Sequence, residues 1–328
     1  MPRMGTHPSG PSTLNALTGP PLSALLEAHP ELMGAAASLG EPGTLPFLFK
    51  VLSIGGALSI QSHPDKALAE RLHASQPEHY RDDNHKPEML VALTACEALC
   101  GFAPPHEAGR ALAATPELRR VCGERESAAY LKALEAGDAA ACAAGLERLT
   151  PGDVGVLAAL LLNHLRLAPG DALALEANVP HAYLSGQALE AMAASDNVIR
   201  AGLTPKFRDA RTLCASLRYE QRVPARTPPE ELAKGAGVSL RRYRPPFPEF
   251  EVFLASAAPG ATVRLDAAAG PTLLLVLEGA AAAGRATEVA RGQVFFLGAG
   301  HAVELQALGD DTLVVAAVAV NGMGFGTH

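Results

Sequence analysis

Three separated segments of the chain carry side chains that can bind a metal ion. Gln61 and His63 lie in LSIQSHPDK, Glu88 lies in NHKPE, and His181 lies in PHAYLSG. Catalytic zinc sites commonly use imidazole and carboxylate ligands, so the two histidines and Glu88 form a candidate zinc set, with Gln61 as a neutral fourth ligand. The Gln-x-His pair by itself is also what a solvated strand face shows, because polar residues alternate along such a strand.

A second group of residues is suited to bind an anion. The segment SDNVIRAGLTPKFRD contains Asp196, Asn197, Arg200, Lys206, Arg208 and Asp209. Arginine and lysine side chains are suited to hold a phosphate group or a developing enolate oxygen. Ser59, on the predicted strand of Gln61, could add a hydroxyl to such a site, and His85 could donate a proton. The alternative interpretation of this charged segment is a solvated polar loop.

The composition indicates a soluble protein of several domains. The 328 residues suit two or three domains, and 48% are hydrophobic while 5% are aromatic, which predicts an aliphatic core. A net charge of -7 argues against a nucleic-acid-binding protein, which normally shows a basic stripe. No apolar run is long enough to cross a membrane, and residues 1–12 lack the apolar core of a secretion signal. A cytoplasmic protein is therefore expected.

The cysteines predict reduced thiols rather than disulfides or a thiolate metal site. They are odd in number and lie mostly in apolar segments: Cys96, Cys100, Cys122, Cys142 and Cys214. Cys96 and Cys100 are placed on one face of a predicted helix, but their neighbours are apolar, so a role in core packing is expected.

The hydrophobic pattern divides the chain into β and α segments. LPFLFKVLSIGGALSIQ predicts a β-hairpin that turns at Gly55 and Gly56, whereas PDKALAERLHAS and KPEMLVALTACEALCGF predict helices. Residues 104–166 are rich in alanine with a 3.6-residue period, which predicts an all-helical block. Short strands resume after Asp171 and again in the last third of the chain.

Together these segments predict a mainly β protein with a helical insert, built from two β-barrel or sandwich modules and an all-α subdomain. We expect residues 1–103 to form the first part of the module that carries the site. Residues 104–168 would form the helical subdomain, 169–218 the second part of that module, and 219–328 a C-terminal β domain.

Four stretches of the chain resemble successive signature motifs of one enzyme family. In chain order they are LSIQSHPDK, YRDDNHKPEMLVALTACEALCGF, NVPHAYLSG and ASDNVIRAGLTPKFRD. Together they resemble type I phosphomannose isomerase, and the likeness extends from MGTHPSGPS through YRPPFPEF to the C-terminal β region. This resemblance replaces the solvated-strand interpretation of Gln61 and His63.

The resemblance implies a fold, a cofactor and a reaction. The fold would consist of two cupin-like modules with a helical insert, and the chain would hold one Zn²⁺. The family interconverts mannose 6-phosphate and fructose 6-phosphate through an enediol(ate), which supplies mannose for GDP-mannose synthesis and protein glycosylation. The expected partners are therefore small sugar phosphates, without nucleic acid or membrane, and a monomer is expected.

The resemblance also assigns roles to individual residues. The zinc ligands of the family fall on Gln61, His63, Glu88 and His181, and its catalytic arginine falls on Arg200. The residues placed around the sugar fall on Lys86, Tyr183, Glu190, Asp196 and Lys206, and the histidine considered for ring opening falls on His85. Glu190 or a water molecule at the metal could be the base. Lys206 or Lys86, with Ser59, could bind the phosphate group.

The chain departs from the family pattern at its beginning. The family normally has a stretch with a Tyr-x-Trp-Gly motif before MGTHPSGPS, and the sequence starts after it. The absence of that early β structure is expected to lower the stability of the fold more than it affects the catalytic residues. An alternative is therefore a catalytically impaired cupin-type protein that binds metal or sugar phosphate. A cupin oxygenase is a further alternative, and it would need iron.

Overall fold

The computed structural model describes residues 3–14, 19–135, 155–284 and 287–322. Contacts divide the chain into two units. Residues 52–188 and 195–226 form one, here called the ligand unit because it contains the four candidate zinc ligands. Residues 1–51, 189–194 and 227–328 form the other, here called the terminal unit. The four domain ranges expected from the sequence stay a prediction.

Strands outnumber helices along the described chain. The helices are α1 (Leu22–Ala28), α2 (Lys66–Ser75), α3 (Pro105–Ala114), α4 (Pro116–Cys122), α5 (Glu124–Glu135), α6 (Gly155–Ala158) and α7 (Ala210–Ser216), with 3₁₀ turns at Pro30–Ser38 and Ala159–Leu161. The first nine strands are β1 (Arg3–Met4), β2 (Phe47–Ile54), β3 (Ile60–Ser62), β4 (Glu88–Ala92), β5 (Cys96–Phe102), β6 (Leu162–Leu167), β7 (Ala172–Leu175), β8 (His181–Ala193) and β9 (Ile199–Gly202). The last ten are β10 (Glu230–Gly235), β11 (Val238–Tyr243), β12 (Glu251–Ala257), β13 (Thr262–Leu265), β14 (Thr272–Glu278), β15 (Ala280–Ala283), β16 (Thr287–Ala290), β17 (Val294–Leu297), β18 (Val303–Leu308) and β19 (Leu313–Ala319).

In the ligand unit, antiparallel pairing brings distant segments of sequence side by side. Gln61 of β3 lies opposite His181 of β8 on one side and opposite Arg200 of β9 on the other. Strand β5 also pairs with β8, and Cys100 lies opposite His181. Strand β4, which begins at Glu88, pairs with β7. Because neighbouring strands lie about 5 Å apart, these registers bring side chains from separate motifs within reach of one another.

The predicted hairpin at Gly55 and Gly56 is wrong. Strands β2 and β3 do flank these glycines, but β8 lies between the two strands in the sheet. A turn signal indicates that the chain changes direction, but it does not identify the strand that will accept the exposed hydrogen bonds. Here the much longer strand β8 takes the place beside β3.

The predicted helix in KPEMLVALTACEALCGF is also wrong, because this segment forms β4 and β5. All five residues of β4 are buried, and six of the seven in β5 are buried. A strand buried on both faces loses the alternation of polar and apolar residues, so a short apolar run does not distinguish strand from helix. Cys96 and Cys100 pack in one hydrophobic cluster as expected, but on a strand.

The helical part of the prediction is confirmed for α3, α4 and α5, which cover residues 105–135. Their apolar faces share a cluster that contains Leu112, Leu118 and Cys122. Strand β6 begins at Leu162, within the range predicted to be helical. The rest of the predicted block, residues 136–154, lies outside the described residues, as does Cys142. The four described cysteines are free thiols, and three of them are buried.

The terminal unit confirms the expected C-terminal strands. They form a six-stranded sheet in the order β10-β11-β12-β19-β14-β17 and a four-stranded sheet in the order β13-β18-β15-β16. One hydrophobic cluster joins the two sheets, with Phe253, Leu274 and Val315 from the larger and Val263 and Leu305 from the smaller. This is the aliphatic core that the low aromatic content predicts. Among the described residues, no helix has the length and apolar character needed to span a bilayer.

Candidate metal centre

His63 lies at a junction between a strand and a helix. Strand β3 ends at Ser62, and Pro64 cannot donate a backbone hydrogen bond to extend it. Asp65 then caps α2, because its side chain accepts a hydrogen bond from the Leu68 amide at 2.9 Å. The Pro-Asp pair that follows the Gln-x-His motif therefore ends the strand and starts the helix, and His63 is held between them with only 2% of its surface exposed.

His63, Glu88 and His181 converge from three separate segments. One ligand atom from each lies within 4.8 Å of the others, and all three side chains are buried. His63 Nε2 lies 3.0 Å from Glu88 Oε1, and His181 Nε2 lies 3.6 Å from Glu88 Oε2. The group thus presents two imidazole nitrogens and both oxygens of one carboxylate to a common point. The convergence expected for these three residues is present in the structure.

The hydrogen bonds of His63 prepare its Nε2 atom for a metal ion. Nδ1 lies 2.8 Å from the carbonyl oxygen of Asn197 and is assigned as the donor, so Nε2 carries the lone pair. Among the described residues, His63 Nε2 belongs to the buried atoms that make no hydrogen bond, since its contact with Glu88 lacks hydrogen-bond geometry. Burial, together with the charges of Lys86 and His181, lowers the pKa of His63 to about 4, although Glu88 opposes this shift. The imidazole is therefore neutral near pH 7, as a metal ligand must be.

Glu88 is held as a carboxylate at the centre of the group. Burial by itself would raise the pKa of Glu88, but its interactions with His63 and Lys86, together with the contact of His181, keep it well below its usual range. Lys86 Nζ lies 3.4 Å from Oε1, and the hydroxyl of Tyr183 donates to Oε2 at 3.1 Å. These contacts place two further predicted residues, Lys86 and Tyr183, directly beside the ligand group.

His181 and Gln61 complete the group from the opposite side. His181 Nδ1 lies 3.0 Å from the carbonyl oxygen of Val179, which leaves Nε2 directed at Glu88 and Gln61. Gln61 Nε2 lies 3.5 Å from His181 Nε2, and Gln61 Oε1 accepts a hydrogen bond from the Ser59 hydroxyl at 3.3 Å. A buried set of two imidazoles, a carboxylate and a nearby amide has the nitrogen and oxygen donors that zinc uses in catalytic sites. The residues present therefore fit Zn²⁺.

The other predicted residues differ in where the structure places them. Arg200 lies opposite Gln61 on β9, and burial lowers its pKa. Asp196 and His85 are half-buried on segments adjoining the ligand group, whereas Lys206 is exposed in the loop after β9. Glu190 belongs to the terminal unit, where it forms a 2.7 Å ion pair with Lys50. The roles assigned to all these residues stay predictions.

Several residues that shape the site were not predicted from the sequence. The amide of Asn178 donates to the carbonyl oxygen of His63 at 2.7 Å, and its side chain donates to Asp65 at the same distance. Asn178 has a φ of 64°, a left-handed conformation that asparagine tolerates better than most residues. Asn178 belongs to the dipeptide NV that precedes PHAYLSG in the sequence. A single asparagine in a turn gives no periodic pattern, so the sequence does not indicate that it binds the backbone of His63.

A second missed feature is the attachment of the loop that carries Lys206. The ring of His79 stacks on Phe207 with centroids 3.7 Å apart, and the hydroxyl of Tyr80 donates to Asp209 at 3.2 Å. Asp209 in turn caps α7 through the Thr212 amide. Two neighbouring residues thus hold the loop at two points. The pairing joins positions far apart in sequence, so no local pattern could reveal it.

Comparison with known proteins connects this geometry with one family. The sequence model of the phosphomannose isomerase type I catalytic domain matches residues 3–105. Mannose-6-phosphate isomerase of Ogataea parapolymorpha is 38% identical over 94% of this chain and 85% of its own length. The Homo sapiens enzyme of the same name is 36% identical over 92% of this chain and 84% of its own length. The chain belongs to the type I phosphomannose isomerase family.

Solved structures of this family have the same fold. A mutant of phosphomannose isomerase from Salmonella typhimurium matches with a TM-score of 0.77 and 28% identity, covering 97% of this chain and 90% of that one. A zinc-bound mannose 6-phosphate isomerase matches with a TM-score of 0.76 and 28% identity over the same shares. The mainly β architecture with a helical part is therefore that of the phosphomannose isomerases, a cupin fold.

Proposed function

We propose that the chain is a zinc-dependent mannose-6-phosphate isomerase, which interconverts mannose 6-phosphate and fructose 6-phosphate. The observation that carries this proposal is the buried convergence of His63, Glu88 and His181, with the lone pair of His63 Nε2 left without a hydrogen bond. The family relatives support the active isomerase rather than the catalytically impaired alternative. The same chemistry would supply mannose for GDP-mannose synthesis.

The reaction moves a proton between two neighbouring carbons of an open-chain sugar through an enediol(ate). His63, Glu88 and His181, with Gln61, would hold Zn²⁺, and the bound ion would supply Lewis-acid stabilisation of negative charge on the sugar oxygens. Arg200 adds a fixed positive charge on the neighbouring strand, and guanidinium stays protonated even where burial lowers its pKa. Both contributions act on charge that is larger in the transition state than in the substrate.

Residues around the ligand group supply proton transfer and orientation. Lys86 is buried beside Glu88 and can hold or release a proton next to the reacting carbons. Tyr183 donates to Glu88 and so fixes the orientation of that carboxylate. His85 is assigned as the candidate for ring opening, and the family resemblance alone makes Glu190, a residue of the terminal unit, the candidate base. Asp196 is assigned to substrate orientation, and Ser59 to the anion site beside Gln61.

Removal of zinc tests the proposal directly. We expect purified protein to form fructose 6-phosphate from mannose 6-phosphate in a coupled assay, and chelation to abolish this activity. Addition of one equivalent of Zn²⁺ per chain should restore it, whereas added Ca²⁺ should not, because calcium prefers sites made only of oxygen ligands. Full activity in a sample shown by metal analysis to be free of metal would contradict the zinc-dependent mechanism.

Lys206 is proposed to bind the phosphate group of the substrate. It is exposed in a loop held by the His79–Phe207 stack, so it can reach substrate without disturbing the core. We expect Lys206→Ala to raise KM for mannose 6-phosphate about tenfold and to change kcat less than twofold, because the lost contact is equal in ground and transition states. Steady-state kinetics measure the two constants. Lys234→Ala, at another exposed lysine, is the control, and an unchanged KM for Lys206→Ala would exclude this role.

We further propose a monomeric, cytoplasmic protein. The free thiols of the four described cysteines support a reducing compartment, where disulfides are rare. Size-exclusion chromatography with light scattering will determine the oligomeric state.

A further inference from the structure

Asp82 makes an unusual number of hydrogen bonds to one distant segment of chain. Its Oδ1 accepts from the Ser195 hydroxyl at 2.7 Å and from Asn197 Nδ2 at 3.1 Å. Its Oδ2 accepts from the amide of Asp196 at 2.8 Å, and its backbone carbonyl accepts from Asn197 Nδ2 at 2.7 Å. One residue thus binds three consecutive residues more than a hundred positions away. Asp82 is itself only half-buried, so water could satisfy its carboxylate without these hydrogen bonds.

The segment held by Asp82 is rigid where it meets the metal centre. Ser195 and Asn197 are both buried, at 1% and 0% exposed. The Asn197 side chain also donates to the carbonyl of Asn84 at 2.9 Å, and its amide donates to the Ser195 hydroxyl at 3.1 Å. Because its side chain and its backbone amide are both bound, Asn197 has little freedom to change its backbone conformation. Its carbonyl oxygen is the atom that lies 2.8 Å from His63 Nδ1.

These contacts form a continuous path from a carboxylate to a metal ligand. A histidine that binds metal through one ring nitrogen is oriented by the partner of the other nitrogen, and loss of such a partner typically weakens metal binding about 10- to 100-fold. Here the partner is a backbone carbonyl, which cannot be removed by substitution of its own side chain. Its position depends instead on the side chains that hold the peptide, and Asp82 binds all of them.

We propose that Asp82 is a positioning residue of the metal centre, which acts through Asn197 to fix the ring orientation and tautomer of His63. Asp82 also lies shortly before Glu88, while Asn197 lies shortly before Arg200. The same network therefore ties together the segments that lead to a second metal ligand and to the proposed catalytic arginine. The inference rests on the proposed zinc site, but it does not require that the enzyme turn over mannose 6-phosphate.

The test compares zinc affinity in two neighbouring variants. Asp82→Asn keeps the size of the side chain but replaces one acceptor oxygen with a donor, which conflicts with the donors of Ser195, Asp196 and Asn197. Asp83→Asn is the matched control, because Asp83 is exposed and its contact is a 3.4 Å ion pair with exposed Lys66. Competition with a chromophoric chelator gives the zinc dissociation constant of each apoprotein. We expect Asp82→Asn to bind zinc about 10- to 100-fold more weakly and Asp83→Asn to equal the wild type.

A second measurement separates positioning from general destabilisation. Co²⁺ in place of Zn²⁺ reports ligand geometry through its visible absorption bands, so Asp82→Asn should change the band positions or intensities, and Asp83→Asn should not. If Asp82→Asn does not fold, Ser195→Ala removes the hydroxyl that donates to Asp82 and accepts from the Asn197 amide, and it should weaken zinc binding severalfold. A folded Asp82→Asn protein with wild-type zinc affinity and an unchanged cobalt spectrum would overturn the proposal. Wild-type protein that binds zinc tightly without isomerase activity would refute the proposed function and leave this inference standing.

Discussion

Replacement of Glu88 with glutamine is expected to lower kcat/KM about 10³-fold, which corresponds to about 4 kcal/mol of transition-state stabilisation. The substitution removes the charge that lies between His63 and His181 and beside Lys86, all of them at most 8% exposed. A neutral amide is a weak zinc ligand, and buried Lys86 loses its carboxylate partner. Steady-state kinetics and metal analysis of the purified variant measure both losses.

The matched control for this prediction is Glu97→Gln. Glu97 lies on β5 in the same unit, but its side chain is 42% exposed and pairs with exposed His164 at 3.0 Å. Exposed ion pairs contribute little to stability, so we expect wild-type zinc content and activity in this variant. A folded Glu88→Gln protein that keeps one zinc per chain and more than a tenth of wild-type activity would show that Glu88 is not an essential ligand.

Replacement of Arg200 with alanine is expected to lower kcat about 10²- to 10³-fold while zinc content stays at one per chain. The guanidinium stabilises charge that develops during the reaction, and it is not a metal ligand. The variant should therefore lose catalytic rate but keep its metal. Its place opposite Gln61 on β9 is the structural reason for this expectation. Steady-state kinetics combined with metal analysis will distinguish this result from the combined loss expected for Glu88→Gln.

Two further variants sharpen the interpretation of Arg200. Arg200→Lys keeps the charge but loses the planar donor geometry, so it should recover only part of the lost kcat. Arg110→Ala, at an arginine of α3 whose contact is a 3.9 Å pair with Glu107, should behave as wild type. If Arg200→Ala lost zinc as well as activity, the arginine would be a support of the metal centre rather than a group that stabilises the transition state.

The candidate ligand residues could be selected from the sequence because motif chemistry is local. The Gln-x-His pair, NHKPE and PHAYLSG each carry donor side chains suited to zinc, and their order along the chain resembles one family. The β-rich end of the chain was likewise predictable, because its short strands alternate with glycine turns. Helices α3 to α5 follow from a 3.6-residue period that depends only on neighbouring residues.

Other parts of the fold were not predictable, because they depend on which distant segments pair. The segment KPEMLVALTACEALCGF is apolar on all sides, and only its burial between β7, β6 and β8 makes it two strands. The glycines at 55 and 56 do end a strand, but the sheet places β8 where the pattern predicted a hairpin partner. In both cases the deciding hydrogen bonds come from residues far away in sequence.

The same distinction applies to the site. By itself, the sequence determined which side chains are available as zinc ligands, since ligand chemistry belongs to the residue type. Only the tertiary structure decided that His63, Glu88 and His181 lie within 4.8 Å of one another, that His63 is neutral, and that Asp82 and Asn178 hold it in place. The physical reason is that burial, pKa and ligand orientation depend on contacts between distant segments, and hydrogen bonds such as that from His63 to Asn197 form only when the sheet brings those segments together.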